Sequence, residues 1–357
     1  MTGQRFYALD ALRGLAIALM ILVNTPGSWQ HVYAPLLHAP WNGFTFADIV
    51  FPAFLFVVGA AMFYALRNQQ LTAKTLLKIL RRSALLVLIG VALNIFPFTA
   101  DPENWRFPGV LQRIGLCYGI AAVLVLILPQ VRVLWLALAL LLLYWLILVT
   151  GSDQPYSLQH NVVRIADLSV FGANHLYQGF GVAFDPEGLL STLPAVSSVL
   201  LGYYAAAQLV RRSAVSGALW LLKSGAAMLV AALLLSQFWP VNKALWSGSY
   251  VLLSTCLLLW LLAALVYLAD IRKSRALIEP LMMYGTNPLF IYILAWLWAV
   301  ILALIPFADS NLYQQLFAAL ALLMPAKLAS LCFALLHVVL FWWLSRSLYR
   351  RNIIIRL

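Results

Sequence analysis

Residues 133–150 read VLWLALALLLLYWLILVT, eighteen positions without a charged side chain, and runs of this kind recur along the whole chain. A membrane-crossing helix needs about 20 predominantly apolar residues. On that criterion ten segments qualify, roughly 11–27, 46–66, 83–99, 109–129, 133–150, 188–209, 217–236, 247–268, 281–305 and 328–344. The 357 residues are 64% hydrophobic and only 10% charged, which excludes the soluble globular classes. The expected fold is an all-α polytopic membrane protein of about ten transmembrane helices, one domain over 1–357. The first span carries Asp10 and Arg13 at its start and no small-residue cleavage site after it, so it is expected to stay in the protein rather than act as a cleaved leader.

Lys and Arg placement orients the chain, since cytoplasmic loops retain positive charge. With the N-terminus inside, the outer side keeps only Arg106, Arg113, Arg164, Lys243 and Lys327 of the 23 cations. Both termini are then cytoplasmic. The net charge of +12 reflects this bias, and no basic run interleaved with aromatics suggests nucleic acid. Cys117, Cys256 and Cys332 lie within expected spans and lack CxxC spacing, which supports neither a disulfide framework nor a metal site. The longest connection, at about 151–187, opens on the outer, periplasmic side, and its aromatic and apolar content predicts a loop insert packed against the membrane domain.

Ionisable and amide side chains at membrane depth are costly, so each is a candidate for function. Arg13 and Asn24 share the first span, about 20° apart around the helix and about 16 Å apart along it. His38 and Asp48, in HAPWNGFTFADIVFP, fall on the outer side between spans one and two. Gln112 and Arg113 open span four, Asp185 and Glu187 precede span six, and Asn242 and Lys243 precede span eight. Together these polar groups outline a periplasmic-side cavity. Asn94, Asn287 and His337 are expected to make interhelical hydrogen bonds. His160 and His175 lack ligand spacing, and no metal site is expected.

The blocks RFYALDALRGLAIALMILVN, HAPWNGFTFADIVFPAFLFVVG, RFPGVLQRIGLCY, FDPEGLLSTLPAVSSVLLG, WPVNKALWSGSYV and YGTNPLFIYI stand in this order between residue 5 and about residue 295. In them the chain resembles the membrane domain of the heparan-α-glucosaminide N-acetyltransferase family and its bacterial relatives. The lumenal domain that precedes the membrane part in lysosomal members is not expected here. The resemblance implies transfer of an acetyl group from cytoplasmic acetyl-CoA to the amine of a glucosamine-type sugar across the membrane, in a bacterial inner-membrane protein, and favours a homodimer. It places the catalytic role on His38 in LLHAPWNG, with Asn24 in LVNTPG and Asp48 in FADIVFP near the reaction centre; Lys243 and Asn242 match the block before span eight.

Elementary chemistry fits those roles. Arg13, assisted by Arg5 and by Arg81 or Arg82, suits the phosphates of CoA through charge-assisted hydrogen bonds, and a pantetheine arm spans a distance like that from Arg13 to Asn24. His38 serves as base toward the amine, with Asp48 holding its tautomer and Asn24 donating to the developing oxyanion. Direct transfer in a ternary complex is the expected route, with an acetyl-histidine intermediate the other. Two rival readings stay open: a sugar transporter, for which MMYGTNPLFIYI supplies a broken helix, and an acyltransferase acting on a sugar hydroxyl.

Overall fold

The computed structural model describes residues 7–355. In chain order its α-helices are α1 (Tyr7–Asn24), α2 (Val50–Leu66), α3 (Ala73–Ile95), α4 (Val110–Ile127), α5 (Val133–Gly151) and α6 (Val162–Phe171). They continue with α7 (Thr192–Val210), α8 (Ala214–Ser236), α9 (Gly248–Val266), α10 (Arg275–Gly285), α11 (Pro288–Leu304), α12 (Leu312–Ala321) and α13 (Ala326–Arg350). Among the described residues, eight helices are long and apolar enough to cross a membrane, or nine if the bent pair α10 and α11 counts as one span.

The difference from ten has a local cause. The segment expected at 83–99 is the apolar half of α3, whose first half holds Lys74, Lys78, Arg81 and Arg82 and takes the helix below the apolar limit. Thr72 starts α3 by accepting from the Thr75 amide at 3.2 Å, and the helix ends at Ile95 because Phe96, followed by Pro97, is extended. The segment expected at 281–305 is broken, with the axes of α10 and α11 diverging by 71°. Pro288 lacks an amide hydrogen and crowds the preceding turn, so it opens a helix rather than continuing one.

The described residues form two compact units. The first gathers 7–38, 45–50 and 264–355. In it α1 packs on α10 with backbones in contact: Gly14 lies against the Leu281 carbonyl and Gly285 against the Asp10 carbonyl, where a Cβ has no room. Small residues at a crossing let two membrane helices approach this closely. The loop after α1 is pinned to α13, where the Ser28 amide donates to Ser330 Oγ at 3.2 Å, and to α12, whose Tyr313 hydroxyl donates to the Pro26 carbonyl at 2.8 Å. Asn287, at the break, donates to the Ile353 carbonyl at 2.9 Å and accepts from the Ile355 amide at 2.8 Å.

The second unit gathers 39–44 and 51–263. Its central crossing, α2 on α7, repeats the device, with Gly59 against the Val199 carbonyl and Gly202 against the Phe56 carbonyl. The insert is packed rather than loose. Val163 on α6 and Phe184 join Tyr144, Leu148, Trp239 and Leu245 in one buried cluster, which Trp41, Tyr156 and Phe180 cover. The Trp41 indole donates to the Tyr156 carbonyl at 2.8 Å. Asn94 donates to the Arg106 and Pro108 carbonyls at 3.1 and 2.8 Å, tying the end of α3 to the approach of α4. His337, expected to bridge helices, instead bonds the Phe333 carbonyl of its own helix at 2.9 Å.

Candidate active site

The first unit holds the histidine and aspartate in direct contact. Thr45 and Asp48 form a capping box at the turn that leads into α2, and this fixes the Asp48 carboxylate before the histidine is considered. Asp48 Oδ2 accepts from the Thr45 amide at 2.9 Å and faces the Thr45 hydroxyl at 3.0 Å. Asp48 Oδ1 lies 2.8 Å from His38 Nδ1. The carboxylate is fully buried, whereas the imidazole is about half exposed, at 47%. A buried carboxylate at Nδ1 favours the neutral tautomer protonated there, in which Nε2 carries the lone pair. The Thr45 hydroxyl also reaches the Leu37 carbonyl at 2.6 Å, holding the residue before His38 in place.

Asn24 is the last residue of α1 and is exposed. Arg13 lies nearly two turns into that helix from its start. Its Nη1 donates to the Gly285 carbonyl at 3.0 Å and its Nη2 lies 3.3 Å from Asp10 Oδ1. A cation at the C-terminal end of α10 complements the negative end of the helix dipole. Arg5 lies outside the described residues.

In the second unit, Arg113 draws several expected groups together. Fully buried, it donates from Nη2 to the Gly188 carbonyl at 2.7 Å and to the Ser191 hydroxyl, while its guanidinium stands 5.4 Å from the centre of the Trp246 ring. It thus joins the turn before α7 to the turn 242–247. In that second turn Asn242 accepts from the Leu245 amide at 2.7 Å and donates to Asn42 at 3.0 Å. Lys243 lies half-buried in the same turn. Gln112 donates to the Phe107 carbonyl at 2.9 Å, its amide wedged against Gly90 and Gly109. Asp185 and Glu187 do not face open space: Arg106 grips Asp185 with two bonds of 2.8 Å and Glu187 with one of 2.7 Å. Arg81 and Arg82 are exposed on α3, with Arg82 4.9 Å from the centre of the Tyr118 ring.

Sequence reasoning noted Arg106 only as an outer cation and passed over Thr45 and Asp167. The T-x-x-D spacing of Thr45 and Asp48 was the available signal for the first pair. Burial acts against the Arg106 charge, yet the hydrogen bond to Asp185 and the charge of Glu187 outweigh it and raise its pKa further. Asp167 on α6 is fully buried and accepts from the Leu189 amide at 2.8 Å. Burial pushes its carboxyl up to about 6, against the opposing pull of the Leu189 bond and the Arg113 charge.

Among the described residues, eight or nine helices long and apolar enough to cross a membrane, with an imidazole held by a carboxylate where one of them begins, mark a polytopic membrane protein. Residues 5–236 match the family model described as heparan-alpha-glucosaminide N-acetyltransferase, catalytic, and the chain belongs to that family. It is similar to the heparan-alpha-glucosaminide N-acetyltransferase of Mus musculus, at 30% identity over 82% of this chain and 53% of the relative. The Homo sapiens protein of the same name is likewise 30% identical, over 81% of this chain and 52% of the relative. The chain therefore spans about half the length of these curated relatives.

Proposed function

We propose that the protein is a transmembrane acetyltransferase that moves an acetyl group from cytoplasmic acetyl-CoA to the amine of a glucosamine-type sugar on the periplasmic side. The observation that carries this reading is the His38 and Asp48 contact, in a block within the matched family region. The amine attacks the thioester carbonyl, His38 Nε2 takes the amine proton, and CoA leaves as the thiolate. Asp48 steadies the imidazolium that forms, and the Asn24 amide donates to the developing oxyanion. Arg13, with Arg81 or Arg82, meets the phosphates of CoA. Gln112, Arg113, Asp185, Glu187, Asn242 and Lys243 shape the acceptor side, Arg113 by fixing two turns and Arg106 by holding the carboxylates. Both termini lie in the cytoplasm, the membrane is the bacterial inner membrane, and the assembly is a homodimer.

The 71° break between α10 and α11 is the one feature that favours a transporter, since interrupted helices commonly form transport sites. Thermal unfolding with and without CoA separates the two. The acetyltransferase reading expects stabilisation by CoA that is weakened in Arg13→Ala, because a phosphate contact made in the ground state is lost. A transporter gains no stability from CoA, and that result would remove the reading.

A further inference from the structure

We propose that a cavity in the first unit, beside His38, seats the phosphate head of an amphiphile that carries the sugar acceptor, so that the acceptor reaches the enzyme from the membrane. This rests on the acetyl-transfer reading. It is a shallow, open cleft whose enclosed part has room for about one water, so the phosphate is held at its mouth, and it lies where the end of α1 and the loop after it meet the start of α13. Buried Val23, Ser330 and Ala334 form its floor, while Lys327, Tyr33 and His31 stand toward its mouth. Leu36 also lines it, and His38 follows two residues later, so the two Cα atoms are within about 7 Å of each other. A group held in this cavity is therefore a short reach from the acid–base centre.

The charge of the cavity specifies an anion. No carboxylate lines it, and Lys327 makes no ion pair among the described residues. Lys327 also sits in the first turn of α13, where the helix dipole is already positive and a lysine is disfavoured unless an anion offsets it. The bare ammonium of an amino sugar would be repelled here; a phosphate ester attached to that sugar would be drawn in. The walls specify an amphiphile. Leu331 lines the cavity four residues after Lys327, and Leu335, 44% exposed, lies one turn further on the same helix face. An apolar track thus leaves the cation and runs along a span, the path a lipid chain would follow. The walls are also held rigidly, since Ser28 and Ser330 bond reciprocally at 3.2 and 3.3 Å.

The test uses the full chain purified in a nonionic detergent, with dihexanoyl phosphatidate, dihexanoylglycerol and inorganic phosphate as separate probes in calorimetry. Phosphatidate should bind, and Lys327→Gln should weaken it about tenfold or more, the order of one charge-assisted hydrogen bond, with Lys327→Arg restoring it. In transfer assays a glucosaminyl phospholipid should show a lower KM than free glucosamine, and Lys327→Gln should raise that KM. Equal binding of dihexanoylglycerol, or competition by inorganic phosphate as strong as that of phosphatidate, would overturn the amphiphile. Phosphatidate binding without a KM difference would reveal a structural lipid and overturn the acceptor claim. If the wild type binds phosphatidate but acetylates no sugar, the transfer reading and the acceptor claim fall while the phosphate site stands.

Discussion

Asp48 holds His38 at 2.8 Å through one carboxylate oxygen while the other is tied to the Thr45 amide at 2.9 Å, so the orienting group is itself oriented. Removing the charge while keeping the shape, as Asp48→Asn does, should lower turnover by about 10²-fold or more, because the imidazolium loses its counterion. Affinity for CoA should change little. Initial rates together with CoA binding to the same preparation check this, and unchanged turnover would show that the contact is only a capping feature.

Arg106 holds two carboxylates of the second unit, and Asp185 is fully buried. Arg106→Ala leaves that carboxylate without its partner, which typically costs about 3–5 kcal/mol for a buried pair. A melting temperature lowered by several degrees, with proteolysis appearing first within 152–191, is the expected outcome. An unchanged melt would mean that the insert is held by its aromatic cluster alone.

How much of this was legible in the sequence differs by element. The spans were readable because an apolar run of fixed length has few solutions in lipid. The break before Pro288 was visible too, as a glycine and a proline inside such a run. His38 and Asp48 stood out as polar groups beside a span, but the role of Thr45 in aiming the carboxylate emerged only with the capping geometry. Asp185 and Glu187 looked like open cavity residues because their partner, Arg106, lies 79 and 81 residues earlier, and hydrophobic periodicity carries no information about such a pairing. Asp167 gave no signal at all, since its burial depends on how α6 meets the turn before α7.

Asp167 supplies a pH dependence with a definite sign. Its carboxyl, pushed up to about 6 by burial, is favoured in the protonated form when the chain is folded. That contribution is fully present below the ordinary aspartate pKa of about 4 and is lost as pH rises through about 6. Asp167→Asn should therefore flatten the change in melting temperature between about pH 4 and 7. Equal slopes for wild type and variant would assign the dependence to another group.

The most direct test of the central claim is a transfer assay in sealed inverted membrane vesicles, with labelled acetyl-CoA supplied outside and glucosamine-type acceptors enclosed within. The proposed function predicts labelled N-acetyl sugar inside wild-type vesicles and a rate lower by about 10²–10⁴-fold in His38→Ala vesicles that still bind CoA. Equal labelling in wild-type and His38→Ala vesicles would contradict it, as would label that appears only when CoA and sugar share one side.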